Sequence, residues 1–375
     1  WLKHACQGHF SILLYIDYFA PLVALATVMQ TLNTEAQPPP RRCCCLRPCI
    51  DPLFCKRWKR RCYCAMGLVM LAAALALFLA VRAFLAQGFN DDRALEYAKL
   101  AGAAYCSRDD LAKWDCGPKC SADVSSLQYC EGYTTNAYVA IWEHRCLVSF
   151  MGTKEYSAML TDLEFFKNSV EWDVCQGCRV HGGFLYEWQS LEPCVKQRLA
   201  DLGCPSGSNI RVTGHSLGAA LSVLAMVSLH GHGWRTEEAY NFGMPRTGDV
   251  QFAAKFNELF KGKFFRVTHH EDPVPQLPPS ALIVDWQFQH VEPEIFYDGA
   301  VSAGHQQCEA DGDVRCSGQY AALADVMKDM LLHANDHMTY MDIQIGSAGC
   351  RNAGSMGSAV RTTTVALGRN TSFVV

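Results

Sequence analysis

Three kinds of hydrophobic pattern follow one another along the chain. Residues 65–81, "AMGLVMLAAALALFLAV", form an uncharged run that continues past Arg82 as "AFLAQ", close to the roughly 20 residues that span a bilayer. An earlier run from Phe10, "FSILLYIDYFAPLVALATVMQTL", has similar length but is interrupted by Asp17 and Pro21. One or two transmembrane helices are expected, at about 10–32 and at 65–88. From Leu95 to Cys350 the pattern changes to short β-rich runs alternating with helical ones: "AYVAIWE", "RCLVSFMG", a helix-like stretch from Phe184 to Leu202, "NIRVTG", a helix, "AYNFG", another helix, and "KFFRVTHH". Strands alternating with helices predict an α/β fold around a largely parallel sheet. A third pattern is local: Tyr156, Met159, Leu160 and Leu163 stand at i, i+3, i+4 and i+7, one apolar face of a short helix.

Charge assigns sides to these segments. Between the two apolar runs lies "RRCCCLRPCIDPLFCKRWKRRCYC", residues 41–64, with eight Lys or Arg against the single acid Asp51. The positive-inside rule makes this segment cytosolic and everything after about residue 88 non-cytosolic. Localisation at a membrane, with the following domain on its lumenal or extracellular side, is the resulting expectation, and the bilayer is an expected partner. Net charge is only -4, and the positive charge is confined to one short segment, so a nucleic-acid partner is excluded.

Cysteines divide in the same way. Cys43, Cys44, Cys45, Cys49, Cys55, Cys62 and Cys64 lie among basic residues, where S-acylation is the expected use, while twelve from Cys106 to Cys350 are an even set expected to form disulfides. The segment 351–375 is rich in Gly, Ser, Thr and Ala, carries the sequon Asn370-Thr371-Ser372, and reads as a flexible tail.

The chemistry concentrates at "IRVTGHSLGAALSVL", residues 210–224. Gly214-His215-Ser216-Leu217-Gly218 has the form G-x-S-x-G, placed where a β-branched run gives way to an alanine- and leucine-rich helix. Such a turn strains the serine backbone, excludes side chains at both glycines and presents the hydroxyl ahead of a helix N-terminus. The Leu217 N–H is then aimed at a developing oxyanion. A triad needs an acid and a histidine further along. Asp272, in "RVTHHEDPVPQLPP", follows a strand-like run and precedes a proline-rich loop; Asp249 and Asp285 lack that context. His290, His305, His333 and His337 all remain candidates for the base on spacing alone.

The stretches "VSFMGTKEYSAMLTDL", "CQGCRVHGGF", "VTGHSLGAALSVLA", "YNFGMPRTGD" and "RVTHHEDPVPQLPP", followed by "HMTY", resemble the class 3, fungal-type triacylglycerol lipases over about Leu95 to Cys350. The resemblance implies an α/β-hydrolase fold, with Ser216 as nucleophile, Asp272 as the orienting acid and His337 as the base. It implies Thr153 as the oxyanion-hole residue beside Leu217, His290 as a non-catalytic histidine, and Tyr156, Met159, Leu160 and Leu163 as one face of a lid. Met159 stands where tryptophan is usual and Ala158 where aspartate is common, which changes the expected opening of that lid. The resemblance also implies disulfides Cys106–Cys350, Cys116–Cys120 and Cys175–Cys178. Proximity in the chain suggests Cys130–Cys146, Cys194–Cys204 and Cys308–Cys316 for the rest. The expected activity is hydrolysis of a lipid ester, an acylglycerol, through an acyl-enzyme. Phospholipase A1, galactolipase or another esterase activity, or a catalytically inactive lipid-binding scaffold, are the alternatives. No cofactor, no metal and no obligate protein partner is called for. The expected catalytic domain is 89–350.

Overall fold

Hairpin-forming and strand-forming residues build one side of an eight-stranded sheet before any crossover begins. A computed structural model of the chain describes residues 88–120, 123–153, 167–278, 287–320, 332–348 and 350. In it β1 (Val124–Glu131), β2 (Asn136–Trp142) and β3 (Arg145–Phe150) are successive antiparallel strands. The chain then adds β6 (Asn209–His215), β7 (Arg235–Phe242), β9 (Phe264–His269) and β11 (Glu294–Tyr297) in parallel, and closes with antiparallel β12 (Gln306–Cys308). The order is β1-β2-β3-β6-β7-β9-β11-β12. The parallel strands are buried on both faces, so "NIRVTG" and "KFFRVTH" read as continuous runs, not as alternation.

Helices cover both faces. On one lie α3 (Gly182–Asp201), α4 (Leu217–Gly231) and α5 (Val250–Phe260), with Trp188, Leu191, Leu221, Leu224 and Phe256 in the core beneath them. On the other lies α1 (Asp91–Ala103), preceding the short α2 (Arg108–Ala112), with Tyr97, Leu100, Tyr240 and Phe242. Helix α4 is buried from Gly218 to Leu229, which is why it carries no polar stripe. A Cβ at Gly218 would lie 2.2 Å from the Phe150 carbonyl oxygen, so only glycine lets α4 meet β3 this closely.

A small second sheet, ordered β10-β8-β5-β4, is formed by β4 (Lys167–Ser169), β5 (Arg179–His181), β8 (Gly248–Asp249) and β10 (Phe288–Gln289). Near the C-terminal end, α6 (Ala334–Met338) leads into β13 (Thr339–Tyr340) and β14 (Ile343–Gln344).

Six disulfides staple the described part of the chain. Cys106–Cys350 joins positions 244 residues apart, and Cys116–Cys120, Cys175–Cys178 and Cys308–Cys316 are local. The pairings suggested by chain proximity for the other four are corrected: Cys130 joins Cys194, and Cys146 joins Cys204. Cys130 sits opposite Ala137 and Cys146 opposite Ile141, on the two strands that flank β2. Two strand spacings, roughly 10 Å, plus four residues along the sheet put them beyond disulfide reach. Helix α3, which crosses that face, supplies Cys194, and the turn just after it supplies Cys204.

Of the expected membrane spans, 10–32 lies outside the described residues, as does all of 65–88 except Gly88. Among the described residues no helix is long and apolar enough to cross a membrane.

Candidate active site

Ser216 stands between β6 and α4 with φ 58° and ψ -129°, a backbone conformation that costs energy for any residue with a side chain. Neighbouring constraints hold it there. A Cβ at Gly214 would lie 2.2 Å from the Gly218 carbonyl oxygen, and the Ser216 N–H donates to the Phe242 carbonyl at 2.9 Å. Although Ser216 occupies the N-cap position of α4, its hydroxyl makes no capping hydrogen bond. The turn therefore keeps the hydroxyl for another use.

Asp272 and His337 come together at the same end of the sheet, from the loop after β9 and from α6. Both Asp272 carboxylate oxygens accept from His337 Nδ1, at 3.0 and 2.9 Å, and both side chains are about 99% buried. Nδ1 thus carries the ring proton, and Nε2 is the basic nitrogen turned away from the carboxylate. Asp272 also accepts from the Val274 N–H at 2.9 Å and from the Tyr340 hydroxyl. Burial, then the charge of Asp272, push the Tyr340 phenol well above its ordinary value, which keeps it a donor. Tyr340 closes the H-x-x-Y motif, and its role was not read from the sequence.

Gly243 connects the two halves. It follows Phe242, which anchors Ser216, and has φ +56°. Its absent Cβ would lie 3.0 Å from Asp272 Oδ2, His337 Cε1 and the Tyr340 hydroxyl alike. His215, beside Ser216, supplies a second connection: its Nε2 donates to the His337 carbonyl at 2.8 Å, and its Nδ1 accepts from the Tyr105 hydroxyl at 2.7 Å. Burial, then the neighbouring His337, hold His215 well below the usual histidine value, so it stays neutral in that bridge. Tyr105 accepts in turn from the Gly152 N–H. Gly152 packs so closely that its absent Cβ would lie 3.0 Å from Ser216 Cβ. Thr153, half-buried, follows Gly152, and Leu217 follows Ser216 as the first residue of α4.

The competing candidates have other partners. Asp249 caps α5 through the Phe252 N–H at 2.9 Å and pairs with Arg179. His290 is buried and donates to the Pro275 carbonyl, His305 pairs with Asp91, and His333 pairs with Glu271 and Asp336. Asp285 and the apolar face of Tyr156, Met159, Leu160 and Leu163 lie outside the described residues.

A hydroxyl on a strained strand-to-helix turn, with a carboxylate-bound imidazole at the same sheet end, defines a serine carboxylic-ester hydrolase of the α/β-hydrolase fold. The family model described as Lipase (class 3) matches residues 147–282. "Secreted mono- and diacylglycerol lipase 1" of Fusarium solani is 32% identical over 256 residues, 63% of this chain and 73% of that protein. "Secreted mono- and diacylglycerol lipase A" of Penicillium cyclopium is 27% identical over 206 residues, 53% of this chain and 65% of that one. A solved structure described as "A serine protease triad forms the catalytic centre of a triacylglycerol lipase" superposes with a TM-score of 0.56 at 26% identity, over 68% of this chain and 96% of its own. This chain belongs to the class 3 lipase family.

The expected localisation at a membrane is corrected by these comparisons. The Fusarium and Penicillium relatives are named as secreted. Hydropathy alone does not separate an anchor from other long apolar segments, which is how the runs at 10–32 and 65–88 led elsewhere.

Proposed function

We propose that this protein is a lipase that hydrolyses acylglycerols, partial glycerides among them, with residues 89–350 as its catalytic domain. Ser216 is the nucleophile, His337 the base, Asp272 the orienting acid, and Thr153 and Leu217 the oxyanion donors. Ser216 Oγ attacks the ester carbonyl and gives its proton to His337 Nε2. The tetrahedral oxyanion is held by the N–H groups of Thr153 and Leu217 while Asp272, fixed by Tyr340 and Val274, stabilises the imidazolium. The alcohol leaves with that proton, and water repeats the sequence on the acyl-enzyme. The apolar face of Tyr156, Met159, Leu160 and Leu163, which follows Thr153 directly, is read as a lid over the serine.

The observation that carries this reading is the convergence on Gly243: Ser216 is anchored to the residue before it, and Asp272 and His337 lie 3.0 Å from where a Cβ on Gly243 would stand. The mono- and diacylglycerol activity named for the Fusarium relative supports the choice of substrate. A serine-reactive fluorophosphonate probe, together with release of fatty acid from diacylglycerol, provides the test. Wild type is labelled and active, and Ser216→Ala is neither; equal labelling of the two rejects the assignment.

A further inference from the structure

The turn between β1 and β2 gives three successive N–H groups to helix α3. Tyr133 N–H donates to Ser190 Oγ at 3.3 Å, Thr134 N–H to both Glu187 carboxylate oxygens at 3.1 Å, and Thr135 N–H to Glu187 Oε1 at 3.2 Å. The Thr134 hydroxyl adds a further donation to Glu187 Oε2 at 3.0 Å. Gly132 must be glycine here, because a Cβ would lie 2.4 Å from Glu187 Oε1. Glu187 itself is 4% exposed, and among the described residues its carboxylate accepts from the Thr134 and Thr135 N–H groups and the Thr134 hydroxyl. Burying a carboxylate on main-chain donors is costly, and the donors it organises lie in a single turn.

That turn reaches toward the serine. The Thr135 hydroxyl donates to the Met151 carbonyl at 2.5 Å, and the Met151 N–H donates to the Asn136 carbonyl at 2.9 Å. Both main-chain groups of Met151 are thereby committed to residues 135 and 136. The next residue, Gly152, lies against Ser216, and the one after it is Thr153. A path of hydrogen bonds and covalent links therefore runs Glu187, Thr135, Met151, Gly152, Thr153.

We propose that Glu187 and Thr135 are positioning residues for the oxyanion side of the site: Glu187 fixes the β1–β2 turn, and Thr135 passes that fixation to the strand end that carries Thr153. The proposal rests on Thr153 acting as an oxyanion donor. Such donors lose effect with displacements of a fraction of an ångström, so a tether two residues upstream affects the transition state more than the ground state.

The test compares Thr135→Val, which keeps the shape and removes the hydroxyl, with Thr135→Ser, which keeps the hydroxyl. Glu187→Gln, which places an amide against the turn's N–H groups, is the second variant, and exposed Tyr133→Ala in the same turn is the control. On a soluble short-chain p-nitrophenyl ester, Thr135→Val and Glu187→Gln are expected to lower kcat about tenfold at nearly unchanged KM. This is less than the hundredfold or so typical of deleting a whole donor. Affinity for a trifluoromethyl ketone, which adds Ser216 as a tetrahedral oxyanion, falls by the same factor; Thr135→Ser and Tyr133→Ala stay near wild type in both. Wild-type kcat and inhibitor affinity in Thr135→Val overturn the proposal, as does equal loss in the Val and Ser variants. If Thr135→Val does not fold, Glu187→Gln decides by the same two readings. Fluorophosphonate labelling of wild type and Ser216→Ala, run alongside, separates a failure here from a failure of the functional assignment.

Discussion

Tyr340 gives its hydroxyl hydrogen to Oδ2 of Asp272, the same oxygen that lies 2.9 Å from His337 Nδ1. Asp272 is thus held by a residue three positions beyond His337, so one short segment fixes both ends of the imidazole–carboxylate pair. Tyr340→Phe leaves a buried carboxylate one donor short. Loss of that bond is expected to cost about 1–3 kcal/mol of stability. A fall of about three- to tenfold in kcat should accompany it, because the carboxylate loses one of its fixed contacts. Thermal unfolding and steady-state kinetics on the same preparation check both.

Gly243→Ala probes crowding at the same place. The added methyl meets Asp272, His337 and Tyr340 at 3.0 Å and has to exist at φ +56°. Ester hydrolysis should fall by at least about tenfold, since a shift of the imidazole by a few tenths of an ångström misaligns proton transfer. Activity equal to wild type would show that the base does not pack against residue 243.

Acid should unfold this protein early. Burial holds His181 down to about 4, and burial with the neighbouring His337 or Arg266 holds His215 and His290 well below the ordinary value. These groups are depressed in the folded state, so the unfolded chain binds the extra protons below about pH 6.5. Their contribution to stability is fully present above that pH and is lost as pH falls toward 4 and beyond. Denaturant midpoints measured from pH 7 to 4 should therefore decline, with uptake of about two to three protons on unfolding near pH 5.

Cys106–Cys350 closes a loop with a sequence separation of 244 residues. Replacing both with serine is expected to lower stability by up to about 5 kcal/mol in the chain-entropy description. Activity should fall as well, because Tyr105, next to Cys106, links Gly152 to His215. Calorimetry and ester hydrolysis of the double variant give the two effects separately.

Much of the fold was legible in the order of residues, because its strongest constraints are local. G-x-S-x-G marks a turn that tolerates no side chain at either glycine, and strands such as "NIRVTG" and "KFFRVTH" are apolar on both faces because both faces are covered. Asp272 was readable from its place after a strand, whereas spacing could not separate His337 from His290, His305 and His333. What distinguishes His337 is a long-range contact with Asp272, and a contact 65 residues away has no periodicity. Tyr105, Gly152 and Gly243 escaped notice for the same reason, since each matters through one close approach to a distant residue. The pairing of Cys130 with Cys146 failed on geometry: neighbours in the chain stood on strands that β2 keeps apart, and the helix above the sheet, with the turn after it, supplied the partners.

Those two bridges sew α3 to β1 and the turn after α3 to the start of β3, on either side of β2. The chain from Cys146 to Cys204 is thereby a closed covalent ring, so a single peptide-bond cleavage between them leaves both fragments attached.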